Sequence, residues 1–179
     1  DLIINQPVYL SEAYAVVWDK QLSSPVEYFY EIREQFNKDK DPVKFLFLIA
    51  RCVKNAIRFN SNGEFNQSPD KRRLGTKPAK MEKSIREVSK LLIGKTKLLS
   101  GDFADVLNNA TSRDLVYMDP PWQGTSTKKD TRYAHILELD KLLTELENLN
   151  SRSVPFLLSF DGVCGDKTYG EELPKELNL

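Results

Sequence analysis

The residues with chemistry to offer gather at one strand exit. Asp119, Pro120, Pro121 and Trp122 follow the apolar run "LVYM" inside "DLVYMDPPWQGTS", residues 114–126. Prolines forbid helix interiors and end strands, so the chain leaves the core here. Neither proline nitrogen carries an N–H, and both φ angles are pinned near roughly −65°. A rigid backbone thus presents the Pro120 carbonyl beside the Asp119 carboxylate as two acceptors with no competing donor. Such a pair suits an exocyclic amine, which has two N–H bonds to give. The ring of Trp122 offers a flat stacking surface for the base carrying that amine. An adenine amino nitrogen delocalises its lone pair into the ring and is a poor nucleophile. Holding both N–H bonds in acceptors pulls the nitrogen toward tetrahedral geometry and frees the lone pair for direct attack on an activated methyl carbon. Read alone, the tetrapeptide is equally ordinary loop chemistry, an acid at a strand end before prolines.

A second acid, Asp102 in "LLSGDF", follows another apolar run. Ligands of open α/β sheets lie beyond the carboxyl ends of the strands, so two acids at neighbouring strand ends would form a polar rim for a small molecule. No cysteine nucleophile is needed. Cys52 reads as a small core residue and Cys164 as a loop thiol, without metal-like spacing. The lone His135 reads as structural, and no metal site is expected.

These residues need elements to carry them. "SEAYAVVWDKQL" predicts a helix capped by Ser11, and "SSPVEYFYEIREQFNK" one capped by Ser24 with Pro25 in its first turn. Asp41-Pro42 opens a third helix through "VKFLFLIARCVKNAIRF", apolar on most faces (Phe45, Leu46, Leu48, Ile49, Cys52, Val53, Ile57) and so expected at the centre of a helical cluster. Asn62-Gly63 signals a tight turn. "AKMEKSIREVSKLLIG", closed by Gly94, predicts a further helix. "TKLLSGDFADVL" predicts a strand, a turn and a short helix. "DLVYMDPP" predicts a strand, "ELDKLLTELENLNSR" an amphipathic helix with a Leu139, Leu142, Leu143, Leu146, Leu149 stripe, and "VPFLLSFDG" a short buried strand. The second half alternates strand and helix, as a parallel α/β sheet does. The expected organisation is α/β: residues 1–22 and 95–179 forming a partial sheet domain, with 23–94 a helical insertion.

The 26 basic and 26 acidic residues balance, so overall charge names no partner. Locally, Lys71 to Lys97 holds ten Lys or Arg against Glu82 and Glu87. That stretch is by default a solvated helix face; phosphate binding is the sharper alternative, with Arg72-Arg73 after a turn. No run approaches the roughly 20 apolar residues of a membrane span, and the amino end is unlike a signal peptide. The reading is cytoplasmic, with no membrane partner. The chain starts at Asp1 without an initiator Met and stops at "LPKELNL", so a fragment is expected.

"DPPW" resembles the Asp-Pro-Pro-aromatic signature of S-adenosylmethionine-dependent amino methyltransferases, and "LLSGDF" is similar to the Gly-Asp-Phe of the Dam-like DNA N6-adenine methyltransferases. "IRFNSNGEFNQS" looks like that family's Arg-aromatic-Asn…Gly-x-Phe-Asn segment in its DNA-recognition region. "FLLSFDG" with "KTYGEELPKEL" resembles the end of adenine methylases from type II restriction-modification systems. The motifs occur in the family's order over about two thirds of the chain. The resemblance implies a partial Rossmann-like class I methyltransferase sheet with an inserted helical DNA-recognition subdomain. It further implies transfer of methyl from S-adenosylmethionine to a flipped adenine of double-stranded DNA, with a cognate restriction endonuclease as partner.

Carried over by position, Asp119 and the Pro120 carbonyl bind the amino group, Pro121 fixes the turn and Trp122 stacks on the flipped base. Asp102 and Phe103 bracket the cofactor adenine, Asp119 borders the cofactor, and Asp1 meets its ribose. Arg58, Asn60, Asn62 and Asn66 face DNA, Arg72 and Arg73 lie near phosphates, and Tyr133 joins the base pocket. Two features depart from the pattern: Trp122 stands where the family usually has Tyr, and none of the eight glycines forms the G-x-G loop that holds the methionine part of the cofactor. That loop would precede residue 1. The rival readings are an RNA N6-adenine methyltransferase, where Asp-Pro-Pro-Trp also occurs, and a DNA-binding module without activity.

Overall fold

Prolines set the helical half of the chain. Pro7, Pro25, Pro42 and Pro78 each stand at the start of a helix, where the missing N–H costs nothing and the fixed φ already suits the turn. A computed structural model of the protein describes residues 1–121, 137–160, 163–164 and 166–168. Trp122, Tyr133, His135 and the Cys164 side chain lie outside the described residues.

Asp1–Leu98 forms one compact unit. It contains α1 (Leu2–Asn5), α2 (Pro7–Lys20), α3 (Pro25–Asp39), α4 (Pro42–Arg51), a 3₁₀ turn at Val53–Asn55, and α5 (Pro78–Leu92). The Asp41 carboxylate caps α4 by accepting from the Val43 and Lys44 N–H groups at 2.8 and 3.0 Å. The core is aromatic: Tyr14, Phe29, Phe36, Phe47 and Phe65 are buried with Leu48, Met81 and Ile85. Phe36 and Phe45 stack at 5.0 Å, and Phe65 meets both edge-on at 6.2 and 6.1 Å.

Four expectations change here. Helix α2 begins at Pro7 rather than at a Ser11 cap; Ser11 lies inside it and its hydroxyl donates to the Pro7 carbonyl at 2.7 Å. Ser24 stands at the start of α3 without a side-chain capping bond. The third helix stops at Arg51 instead of running on toward Phe59, because the chain after it pairs with a returning segment. Cys52 turns extended and bridges Pro69, Phe59 bridges Phe65, and the Val53 N–H donates to Ser68 rather than back along the helix. Val53 and Ile57, expected in the core, are therefore exposed. Residues 1–22 pack within this helical unit, with α1 and α2 both against α5, whereas the sequence grouped them with 95–179. Between Phe59 and Phe65 the expected turn is present, with Gly63 at φ 73°.

Leu99–Leu179 forms the second unit. Helix α6 (Phe103–Leu107) leads to β1 (Val116–Met118), then α7 (Leu139–Ser151) and β2 (Phe156–Leu158); β3 (Val163–Cys164) and β4 (Lys167–Thr168) pair antiparallel. Strands β1 and β2 are parallel, with Val116 opposite Phe156 and Met118 opposite Leu158. A helix between two parallel neighbours is the βαβ arrangement that the alternating pattern predicts. The Leu stripe of α7 buries Leu142, Leu146 and Leu149 against Leu107, Met118 and Val154. The Arg152 guanidinium, just past α7, donates to the Leu107 and Ala110 carbonyls at 3.0 Å each, closing the end of α6. The strand expected at "TKLLS" is absent. Strand geometry needs a neighbour for its N–H and C=O groups, and none of the described residues pairs with this segment, whose Leu98 and Leu99 are exposed. Strand β2 is only half-buried, with Leu157 outward. Among the described residues the parallel sheet has two strands, so the observed class is α/β with a small sheet and a predominance of helix.

Candidate active site and nucleic-acid interface

Asp119 is the first residue past β1, and it is exposed. The strand is held to that point: the Val116 N–H donates to Pro155 at 3.0 Å, and the Ser159 N–H to Met118 at 2.9 Å. The last ladder bond thus falls one residue before the acid, and the prolines that follow stop it from continuing. Met118 buries its side chain inward while Asp119 turns out. Beside it opens a cavity of about 380 Å³, with Phe103 and Val106 of α6, Val116 and Met118 of β1, and Asp119 and Pro120 on its wall. The lining is apolar except for the acid at its edge, suited to a flat ring with an amino group on its rim. The structure therefore places Phe103, Asp119, Pro120 and Pro121 around one cavity, the last three directly after β1.

Asp102 sits differently from expectation. Its carboxylate caps α6, accepting from the Ala104 N–H at 2.9 Å, and it accepts from the Lys141 ammonium at 2.6 Å. The Lys141 bond, with the backbone N–H second, holds the Asp102 carboxyl below the usual carboxylate range, while Asp102 raises Lys141. The Lys141 nitrogen also stands 5.4 Å from the Phe103 ring centre. Asp102 thus fixes the start of α6 and the place of Phe103, and each oxygen keeps a further lone pair for a ligand. Lys141 had no local signal in sequence: it is 39 residues away, on a helix read as core packing.

Asp1 lies in the helical unit at the start of α1, where its side chain accepts from Asn5. In the 59–66 turn, the Asn60 side chain is committed to the loop. Its oxygen accepts from the Asn62 and Glu64 N–H groups at 3.0 and 2.9 Å, and its amide donates to the Glu64 carboxylate at 2.8 Å. Asn60 therefore shapes the turn, and Arg58, Asn62 and Asn66 are the exposed members of the set. Arg72 is exposed with its N–H bound to the Asp70 carboxylate at 2.8 Å. Arg73 borders a concavity of about 400 Å³ with Lys54, Lys77, Lys80 and the buried Arg51. Sequence reading missed Arg51 in this setting. A lone arginine ending the apolar run "FLFLIA" was the available sign that a charge would be buried and paired.

A family description of D12 class N6 adenine-specific DNA methyltransferases matches residues 2–179. The chain belongs to this family. Among similar proteins, the Type II methyltransferase M.MjaIII of Methanocaldococcus jannaschii is 38% identical over 104 residues, 54% of this chain and 35% of its own. The DNA adenine methylase of Escherichia coli K12 is 31% identical over 142 residues, 74% of this chain and 50% of its own. Modification methylase StsI of Streptococcus sanguinis is 24% identical over 143 residues, covering 73% of this chain and 21% of that protein. This D12 chain thus spans half or less of the length of these curated relatives. Among its described residues no helix is long and apolar enough to cross a membrane.

Proposed function

We propose that this chain carries the amine-holding part of a DNA N6-adenine methyltransferase. The observation that carries the reading is the rigid Asp119-Pro120-Pro121 exit from β1, standing on the rim of an apolar cavity that also holds Phe103. The Asp119 carboxylate and the Pro120 carbonyl accept the two N–H bonds of a flipped adenine. The Asp119 charge would stabilise the positive charge the amino nitrogen gains on methylation, and both acceptors keep its lone pair aimed. The surplus N–H proton would pass to the Asp119 carboxylate, the spent donor leaving as a neutral thioether. Pro121 keeps the loop free of donors that would bind Asp119 instead, and Trp122 supplies the stacking face.

S-adenosylmethionine supplies an electrophilic methyl group when bound. Phe103 and the apolar wall beside it would take the cofactor's adenine in kind, and the Asp102 carboxylate, next to Phe103 in the chain, keeps a free lone pair on each oxygen. Asp102 acts here by capping α6 and so setting Phe103. The catalytic part comprises residues 95–179, with a Rossmann-like sheet. DNA recognition falls to 23–94, through Arg58, Asn62, Asn66, Arg72 and Arg73 with Asn60 shaping the turn. Tyr133 is assigned to the base pocket. A restriction endonuclease of matching specificity is the expected partner.

The test is to incubate the complete protein with labelled S-adenosylmethionine and varied duplexes, then map the modified base. Label on the adenine amino group supports the proposal; label on cytosine, on RNA alone, or on nothing while DNA is bound overturns it.

A further inference from the structure

Four side chains of the helical unit converge on the backbone of one loop. The Tyr14 hydroxyl donates to the Thr76 carbonyl at 2.6 Å, the Trp18 indole N–H to Leu74 at 2.9 Å, and the Gln21 amide to Leu74 at 3.1 Å. Arg51 donates through Nε to the Gln21 side-chain oxygen at 2.9 Å and through Nη1 to the Asp70 carbonyl. Gln21 is 0% and Arg51 2% exposed, so the bond between their side chains is buried and water does not replace it. Burial pulls the Arg51 guanidinium below its ordinary value, and Asp70 works against that shift. Two backbone features reinforce the grip. The Asp70 N–H donates to the Arg51 carbonyl at 2.9 Å, and Gly75 at φ 80° passes so close to α4 that a Cβ would stand 2.8 Å from the Ala50 oxygen.

The loop so held, 70–76, is not otherwise regular, and it carries Lys71, Arg72 and Arg73 on its exposed side. Arg73 shares its concavity with Lys54, Lys77 and Lys80 and with one acid, Asp70, whose carboxylate is engaged by the Arg72 N–H. An ordinary surface loop needs no buried guanidinium to hold it. Burying Arg51 carries a desolvation cost that a single well-packed apolar side chain would avoid. What the arrangement gains is a fixed backbone beneath cations whose spacing then stays set.

We propose that Tyr14, Trp18, Gln21 and Arg51 are positioning residues: they lock the 70–76 backbone so that Arg73 stands with Lys54, Lys77 and Lys80 around one concavity that takes a DNA backbone phosphate. The inference rests on the DNA-binding reading above and adds to it the device that sets the phosphate contact. Holding the loop in advance removes ordering entropy from the binding step, so the bonds raise DNA affinity without touching DNA.

Tyr14→Phe and Trp18→Phe each remove one hydrogen bond and keep an aromatic ring in place and the charge unchanged. Two readouts separate the loop lock from its use. Trypsin cleavage after residues 71–73 in the free protein reports the lock; it should quicken about five-fold in each variant, the worth of one net hydrogen bond. Duplex binding followed against salt reports the use. Arg73→Gln should lower the salt slope by about 0.9, one phosphate contact, and the two Phe variants should lower it in the same direction although no charge is lost. Their effect on affinity should vanish when combined with Arg73→Gln. Unchanged cleavage at 71–73 overturns the lock. Quicker cleavage with a wild-type salt slope overturns the positioning role and leaves Tyr14 and Trp18 as plain structural contacts. A wild-type protein that binds no duplex overturns the DNA reading and the phosphate site together, one whose duplex affinity ignores salt overturns the phosphate site alone, and the cleavage result still decides the lock.

Discussion

At the scale of single residues, the site rests on one carboxylate and its rigid neighbour. Asp119→Ala in the complete protein should lower methyl transfer by about 10²-fold or more, the usual cost of removing a positioned charge-stabilising group, with duplex affinity nearly unchanged. Single-turnover kinetics beside an anisotropy titration checks both halves, and wild-type turnover would refute the role. Asp102 and Lys141 lead to a pH expectation. Asp102 is held low in the folded state, so its contribution is present above the ordinary carboxylate value and is lost as pH falls below about 4. Lys141 is raised, so its contribution is present at neutral pH and is lost as pH climbs past about 10.4. The pair is exposed and should add little at high salt. Melting temperature against pH at low salt in Lys141→Met should show a smaller Asp102 share of the acid limb, the Ala104 N–H keeping the rest; an acid limb superposable on the wild type's would sink the pairing.

At the scale of elements, the strand-helix-strand unit holds the cavity. Leu146 is 0% exposed on α7, between β1 and β2 in sequence, and Leu146→Ala should cost about 2–5 kcal/mol through the cavity it leaves. Chemical denaturation read by tryptophan-independent far-UV dichroism checks the size. In the helical unit, Gly75→Ala should cost about 1–3 kcal/mol, since alanine must adopt a left-handed φ and press on the Ala50 carbonyl. A neutral result would mean the loop moves aside freely. These elements were also the legible part of the sequence. The Pro-led helices, the α7 stripe and the strand before Asp119 follow from local rules: fixed φ at a first turn, a period near 3.6, an apolar run closed by prolines. Two of the failures share one cause. Helix α4 stops at Arg51 because Val53 bonds to Ser68, and "TKLLS" is no strand because no described neighbour pairs with it. Both are decided by partners distant in sequence, which periodicity cannot see.

At the scale of the molecule, the two units have separate cores, one aromatic around Phe47 and Phe65, the other aliphatic around Leu142 and Leu146. Hydrogen exchange should therefore localise damage: Leu146→Ala should speed exchange within 99–160 and leave the α2 to α5 amides at wild-type rates. Equal acceleration in both units would show one cooperative core. The amino-acid sequence by itself carried the family, because Asp-Pro-Pro-Trp and the motifs around it are runs of consecutive residues that no folding is needed to assemble. It also determined the tight turn at Asn62-Gly63, again a local matter of backbone freedom. Only the tertiary structure decided that Asp102 answers to Lys141, that Asn60 serves its own loop, and that Arg51, Gln21, Trp18 and Tyr14 meet on 70–76. The physical reason is separation. A hydrogen bond between residues 39 or 62 apart exists only after the chain has folded, and no short-range pattern selects its partner in advance.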